Sequence, residues 1–531
     1  MKNVEVTDVA AAIVAADLWV LAGYFVIVIA IAVWVSRRTD SGEDLFLAGR
    51  SLTWGAIGVS LFASNISSTT LIGLSGAAYS SGIAVSAYEW LAGVPLLILA
   101  FIFAPLYFRS RITTIPEYLE KRYDRRVRLY FSALTIALTI VVDTAGGLYA
   151  GAVVVQTFFP QIGIGQTCLA IGIFAGLYTA AGGLKAVVYT DVVQAVVLIV
   201  GTSIMAYLLF AELDFSWAAV VDSVAHPDQL SLVLPLDDTM LPWPGLIVGV
   251  PLLGFWYWVT NQYIVQRVLG ARNLAHAQWG AVLGGFLKLL PLFIMVLPGA
   301  MAVSIIPNLS NPDMVFPTLT ATVLPPGLTG LVLAGLIAAI MSSVDSTLNS
   351  SSTLIVHDFM RADERKRSAV EVRRAGQVTT LILMTIAILW APLIARFGGL
   401  WDYLQQAFSI LVPPVVAIFL LGGLSRRISA QGAFMALALG HASGLGLFVL
   451  TQLGIWPLHF TINVGVMTAV SVGIAFVCSG PAPSAAQTEH TVWRPGIAFA
   501  DGATVKGFWS DLRLWSILLV VAMGAILIGF W

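Results

Sequence analysis

The chain of 531 residues is 58% hydrophobic and only 10% charged, with a formal net charge of −1. Soluble globular proteins carry roughly 25% charged residues, so this composition, with a mean hydropathy of +0.90, excludes an ordinary soluble domain. It also argues against nucleic-acid binding, which needs a basic face. Only Cys168 and Cys478 are present, both in apolar surroundings, so neither a disulfide framework nor a thiolate metal site is expected.

Apolar runs of about 20 residues, each able to cross a hydrocarbon core of ~30 Å, recur from Leu18 to Trp531 and predict roughly fourteen transmembrane helices. The first, 18–36, has only Lys2 ahead of it and no small-residue cleavage site, which predicts a retained helix rather than a signal peptide. Spans near 54–79 and 83–107 follow. Inside the earlier of these stands Ala63-Ser64-Asn65-Ile66-Ser67, continuing as Ser68-Thr69-Thr70. A lipid-facing helix gains nothing from such residues, whereas irregular backbone at membrane depth survives where it lines a cavity. Gly182-Gly183 reads as a tight cytoplasmic turn, and the 211–240 segment as an acidic outer loop carrying Asp214, Asp222, Asp228, Asp237 and Asp238.

Further on, Ser342-Ser343-Val344-Asp345-Ser346 forms a second hydroxyl cluster inside an apolar helix, spaced so that Ser342, Asp345 and Ser346 lie near one another. Two such clusters suggest an ion site built between two helices. Small residues that simply permit close helix packing are the competing explanation. Two further helices are expected in 430–479, a flexible, Pro- and Gly-containing cytoplasmic linker in 480–507, and a last helix in 508–531. No separate folded domain is seen.

Lys and Arg concentrate in alternate loops: Arg37, Arg38 and Arg50; Arg109 to Arg128; Arg267 and Arg272; Arg361 to Arg374; Arg426 and Arg427. Basic loops stay cytoplasmic, which puts both termini outside. The chain is thus expected to be a multi-pass protein of the plasma (inner) membrane, in contact with the lipid bilayer. None of the six histidines has metal-site spacing, and no Walker loop is present, so ATP is not expected to drive it.

Several segments, read in order, resemble the sodium/solute symporter family, and its sodium/sugar cotransporter branch in particular. These are Asp44-Leu45-Phe46-Leu47-Ala48-Gly49-Arg50, Ala63 to Ser67, Tyr88-Glu89-Trp90, Thr114-Ile115-Pro116-Glu117-Tyr118 and Gly182 to Asp191. Tyr257-Trp258, Asn261-Gln262-Tyr263-Ile264-Val265-Gln266-Arg267, Phe286-Leu287-Lys288-Leu289, Ser342-Ser343 with Leu348-Asn349-Ser350, and Phe419-Leu420-Leu421-Gly422 complete the set. Each piece is weak alone; the ordered set is specific.

The resemblance implies an all-α membrane fold of the leucine-transporter type, with inverted five-helix repeats at about 54–210 and 241–425, one extra helix before and three after. It implies no enzyme activity but symport of Na+ with a sugar, or with a polyol; a proton-coupled carrier and a membrane sensor are the alternatives, the sensor disfavoured because no output domain is read after Trp531. By resemblance the first Na+ site takes the backbone of Ala63, Ile66 and Ala339 and the hydroxyls of Ser342 and Ser343. A second cation site matches Asp191, Ser342, Asp345 and Ser346. Most relatives that have it carry a hydroxyl where Asp345 stands, and two acids facing one cavity call for a second Na+ or a proton between them; a local structural role for Asp345 is the alternative. For the solute, Asn65, Glu89, Lys288 and Gln405 match sugar-binding positions, with Tyr88 beside Glu89. Tyr257 and Trp258 match an aromatic inner gate. Thr70, Ala92 and Gly254 replace polar sugar contacts of some relatives, and Asp143 is a further candidate. Glu89 and Lys288 are opposite intramembrane charges, each costing ~3 kcal/mol or more if unpaired, so they are expected to bridge each other or a common ligand.

Overall fold

The computed structural model describes residues 13–36, 47–159, 161–224, 226–309, 312–361, 367–397, 400–499 and 510–531. Its elements are helical, and the bridges outside helices are two isolated ones, Leu52 with Ala271 and Leu234 with Pro242. Among the described residues, ten helices are long and apolar enough to cross a membrane, eleven when the bent pair Trp54–Asn65 and Thr69–Ser81 is taken as one span. Three shorter apolar helices, Ala15–Ile31, Ile164–Gly176 and Gly245–Thr260, accompany them.

In chain order the principal helices are α1 (Ala15–Ser36), α2 (Trp54–Asn65), α3 (Ser68–Ser81), α4 (Ile83–Ser110), α5 (Arg125–Gln156) and α6 (Ile164–Ala211). The backbone of α6 is helical past Gly182-Gly183, where a turn was expected. After the 211–240 segment come α7 (Gly245–Thr260), α8 (Gln262–Leu269), α9 (Leu274–Ser304), α10 (Val315–Val323) and α11 (Leu328–Phe359). The chain finishes with α12 (Ala369–Trp390), α13 (Leu400–Leu424), α14 (Ala430–Gln452), α15 (Phe460–Val477) and α16 (Leu512–Gly529).

Helix α11 is central, packing against α6, α1, α5, α12 and α2, while α9 lies along α2. Helices α13, α14 and α15 form a group of their own, and α16 rests on α9 and α4. Two breaks correspond between the halves. Helix α2 gives way to α3 through a 58° bend, and α7 gives way to α8 at Asn261, whose backbone is extended (φ −72°, ψ 122°). A π-helical turn, Trp256–Thr260, leads into the second break and is held by Tyr107 Oη donating to Val259 O at 2.8 Å.

The extra first helix is clipped to the core by a buried acid. Asp17 accepts the Gly327 and Gly330 amides at 2.7 Å each, at the start of α11, where a helix N-terminus leaves donors unsatisfied.

Two expectations from the loops are corrected. Residues 480–499 are a packed strap, not a flexible linker; 500–507 lie outside the described residues. Trp493 donates from its amide to Gly423 O and from Nε1 to Phe101 O, both at 2.8 Å, and Tyr118 Oη donates to Thr491 O at 2.7 Å. Arg122, counted above as a loop charge, is fully buried and donates to the carbonyls of Gly422, Ser425 and Ile428, which close the end of α13.

Candidate ion and solute site

The break after α2 has a local cause. Ser67 adopts an extended backbone (φ −88°, ψ 171°) and caps α3, its Oγ accepting the Thr70 amide at 3.1 Å. The Ser67 amide turns back to Asn65 O at 2.8 Å, and Thr70 Oγ1 donates to the same carbonyl at 3.0 Å. In a continuous helix the Ser67 and Thr70 amides would serve the carbonyls of Ala63 and Ile66. Both amides are otherwise engaged, so these two carbonyls lose their helical donors.

Helix α11 brings the second hydroxyl cluster alongside. Ser343 is buried and donates its Oγ to Ala339 O at 2.8 Å, which keeps the oxygen lone pairs available as acceptors. One turn on, Thr347 is tied to α5 by Thr144 Oγ1 at 2.8 Å. The two clusters meet: Ser64 Oγ of α2 lies 3.4 Å from Ser346 Oγ of α11. The side chain of Ser342 lies outside the described residues.

Beside them opens a cavity of about 160 Å³, where one water needs only ~10–15 Å³. Of the predicted solute residues, Asn65, Thr70, Tyr88, Glu89, Asp143, Tyr257 and Trp258 line it, and so do Ala92 and Gly254. Its aromatic wall is joined: the rings of Tyr257 and Trp258 are 5.2 Å apart, and Tyr263 Oη donates to Tyr257 Oη at 2.6 Å. Lys288 is not among the lining residues. It is fully buried, donates to Glu89 Oε2 and Asn65 Oδ1, and sits 5.7 Å from the centre of the Trp258 ring. The ammonium thus neutralises Glu89 from behind and fixes the Asn65 amide. The Gln405 side chain lies outside the described residues.

Around Asp191 the structure adds a group that sequence reasoning had placed in a cytoplasmic loop. Asp191 is fully buried and accepts Ser64 Oγ at 3.0 Å and Ser60 Oγ. Arg267 of α8, also fully buried, places Nη2 3.2 Å from Asp191 Oδ2 and donates to Ser64 Oγ and Ser346 Oγ, while its Nε donates to Ser60 Oγ at 2.6 Å. A guanidinium therefore stands where a second Na+ or a proton was expected between Asp191 and Ser346. Asp345 is fully buried on the same helix as Ser346. Nothing local in the sequence marked it: Arg267 follows the polar Gln266 and precedes Val268 and Leu269.

A bundle broken at two corresponding helices, with hydroxyls and freed carbonyls beside an aromatic-walled cavity, is the architecture of a membrane carrier. The profile of the sodium:solute symporter family matches residues 45–440, and the chain belongs to that family. It is 35% identical over 537 residues to human sodium/glucose cotransporter 4, covering 90% of this chain and 78% of that one. It is 36% identical to rabbit sodium/glucose cotransporter 1 over 81% of this chain and 71% of that one. Among solved structures, a Na+-coupled sialic acid symporter superposes with a TM-score of 0.78 at 22% identity, over 88% of this chain and 99% of its own. A nucleobase-cation symporter, Mhp1, gives 0.56 at 15% identity, covering 85% and 98%. At those identities the likeness is one of fold, and it is the broken-helix, inverted-repeat fold expected from sequence.

Proposed function

We propose that the protein is a secondary carrier that couples inward movement of Na+ to uptake of a glucose- or galactose-like sugar by alternating access. The observation that carries this reading is the loss of helical donors at the Ala63 and Ile66 carbonyls of a helix that meets α11 through Ser64 and Ser346, with Ser343 lining the adjoining cavity. A hard cation prefers such carbonyl and hydroxyl oxygens. The ligands assigned to Na+ are the backbone oxygens of Ala63, Ile66 and Ala339 and the hydroxyls of Ser342 and Ser343. For the sugar, Asn65, Glu89 and Gln405 supply planar groups that pair with hydroxyls, Tyr88 and Thr70 add hydroxyl contacts, and Tyr257 and Trp258 cover the ring's C–H face. Lys288 acts as a positioning residue. The sequence relatives named as sodium/glucose cotransporters support a sugar as the solute.

Asp191 already has a counter-charge in Arg267, so a second cation at Asp191, Ser342, Asp345 and Ser346 would have to displace that guanidinium. We assign one Na+ to the transport cycle. The alternate basic loops support an inner-membrane orientation with both termini outside.

The test is uptake by proteoliposomes of a panel of labelled hexoses and polyols under imposed Na+ or H+ gradients. Na+-driven accumulation of a hexose is expected. Accumulation driven by H+ and indifferent to Na+ would overturn the reading, and preference for a polyol would reassign the solute.

A further inference from the structure

The cavity carries one acid whose charge the arrangement above leaves unused. Asp143 and Glu89 are the two charged residues among the described lining, and no basic residue lines the cavity there. Glu89 is neutralised by Lys288. Asp143 Oδ2 is buried and has no hydrogen-bond partner among the described residues. The surrounding wall is largely apolar and aromatic, including Val142, Leu253, Trp256 and Phe408.

The backbone directs this side chain. Asp143 sits in the π-helical turn Thr139–Thr144, an insertion that changes which residues of α5 face the cavity and that recurs at functional sites. The turn is pinned at its end: Thr144 Oγ1 lies within hydrogen-bond distance of Thr139 O and of Thr347 Oγ1, 2.8 Å from each. A carboxylate held this way in apolar surroundings is costly until a cation or strong donor reaches it.

We propose that Asp143 is a specificity-determining residue that receives a protonated amine on the solute, so that the site favours an amino sugar over a neutral hexose and rejects a uronic acid. A neutral hexose offers only hydroxyls to this oxygen; an ammonium brings charge and donors together. A uronic acid would set a second anion against Asp143 in a weakly screening cavity. The inference rests on the reading of the cavity as a sugar site.

The test compares glucosamine, glucose and glucuronate binding to the purified full chain in Na+, read by quenching of tryptophan fluorescence at a pH where the amine is charged. Wild type should bind the amino sugar about tenfold or more tighter than glucose, with glucuronate weakest. Asp143→Asn, nearly isosteric, should bring the amino sugar and glucose to within about twofold of each other, and Asp143→Glu should restore the preference. A wild type that binds glucose and glucosamine alike overturns the proposal whether or not the variants fold. So does a preference that survives Asp143→Asn, or a variant in which only the half-saturating Na+ concentration moves. If wild type binds none of the three sugars, the sugar reading itself fails; Na+-dependent glucose binding without a preference for the amine removes this inference alone.

Discussion

Arg267 Nη2 lies 3.2 Å from Asp191 Oδ2, and both side chains are fully buried. Through Ser60, Ser64 and Ser346 the same guanidinium also touches α2 and α11, so four helices from both halves of the fold meet on one charge. Any motion that parts α2 and α8 from α6 and α11 must break the Arg267 bonds to Asp191 and Ser346 together.

Removing one partner of a buried pair leaves the other charge uncompensated, at ~3–5 kcal/mol. Arg267→Gln and Asp191→Asn should each lower the melting temperature of the detergent-solubilised protein sharply. The double variant, with no orphaned charge, should recover part of the loss. A double variant as unstable as the two single effects summed would show that the pair is not energetically coupled.

Because Arg267 meets the charge of Asp191, one Na+ should accompany each sugar. Uptake should depend on Na+ with a Hill coefficient near one. A coefficient clearly above one in wild type that falls toward one in Asp191→Ala would instead establish a second Na+ at that position.

Ser343→Ala removes a hydroxyl with little change in packing volume. Loss of one hydrogen-bonding oxygen typically costs ~1–3 kcal/mol when a buried partner is left unsatisfied, so the half-saturating Na+ concentration should rise at least about fivefold. Uptake with unaltered Na+ dependence would move the ion elsewhere.

Glu89→Ala should raise the sugar KM strongly, because it strips the cavity of a carboxylate and orphans Lys288. Each buried hydroxyl left unpaired is worth ~1–3 kcal/mol. Gln405→Ala should also raise KM, but without orphaning a charge. Lys288→Met should be rescued in part by Glu89→Gln, as expected for a positioning residue. Initial-rate uptake across sugar concentrations checks all four, and wild-type KM in both Glu89→Ala and Gln405→Ala would place the solute outside this cavity.

The clip between α1 and α11 is open to a direct test. Asp17→Ala leaves the Gly327 and Gly330 amides without their buried acceptor, at ~1–3 kcal/mol. At Gly330 an added Cβ would lie 2.5 Å from Asp17 Cα and 2.6 Å from Asp17 O, so Gly330→Ala must push α1 aside. Both should lower the melting temperature, whereas Gly55→Ala, with nothing within 4 Å of its added Cβ, should not lose stability through a clash.

Much was legible in the chain itself, because the signals are local. Runs of about 20 apolar residues mark spans whatever their neighbours. The hydroxyl and amide cluster at 63–70 marks the broken helix because Ser67 supplies a cap within three residues of its own position. The same holds for the face shared by Ala339 and Ser343, which are one turn apart. Ordered motifs along the chain carried the family.

What lay beyond the sequence is where each buried charge finds its partner. Arg267 meets Asp191 across 76 residues, and Lys288 meets Glu89 across 199. Neither spacing is a helical repeat, so nothing local separates a loop arginine from one buried between four helices. The same reason covers the packed strap at 480–499, whose polar composition matches a linker but whose Trp493 bonds to α4 and α13 are made only once those helices are assembled. The apolar patterning and the helix break were determined by the sequence alone. The electrostatics of the site, down to which acid is neutralised and which faces the cavity, were decided by the fold, since the cost of a buried charge depends on the groups that tertiary contacts bring to it.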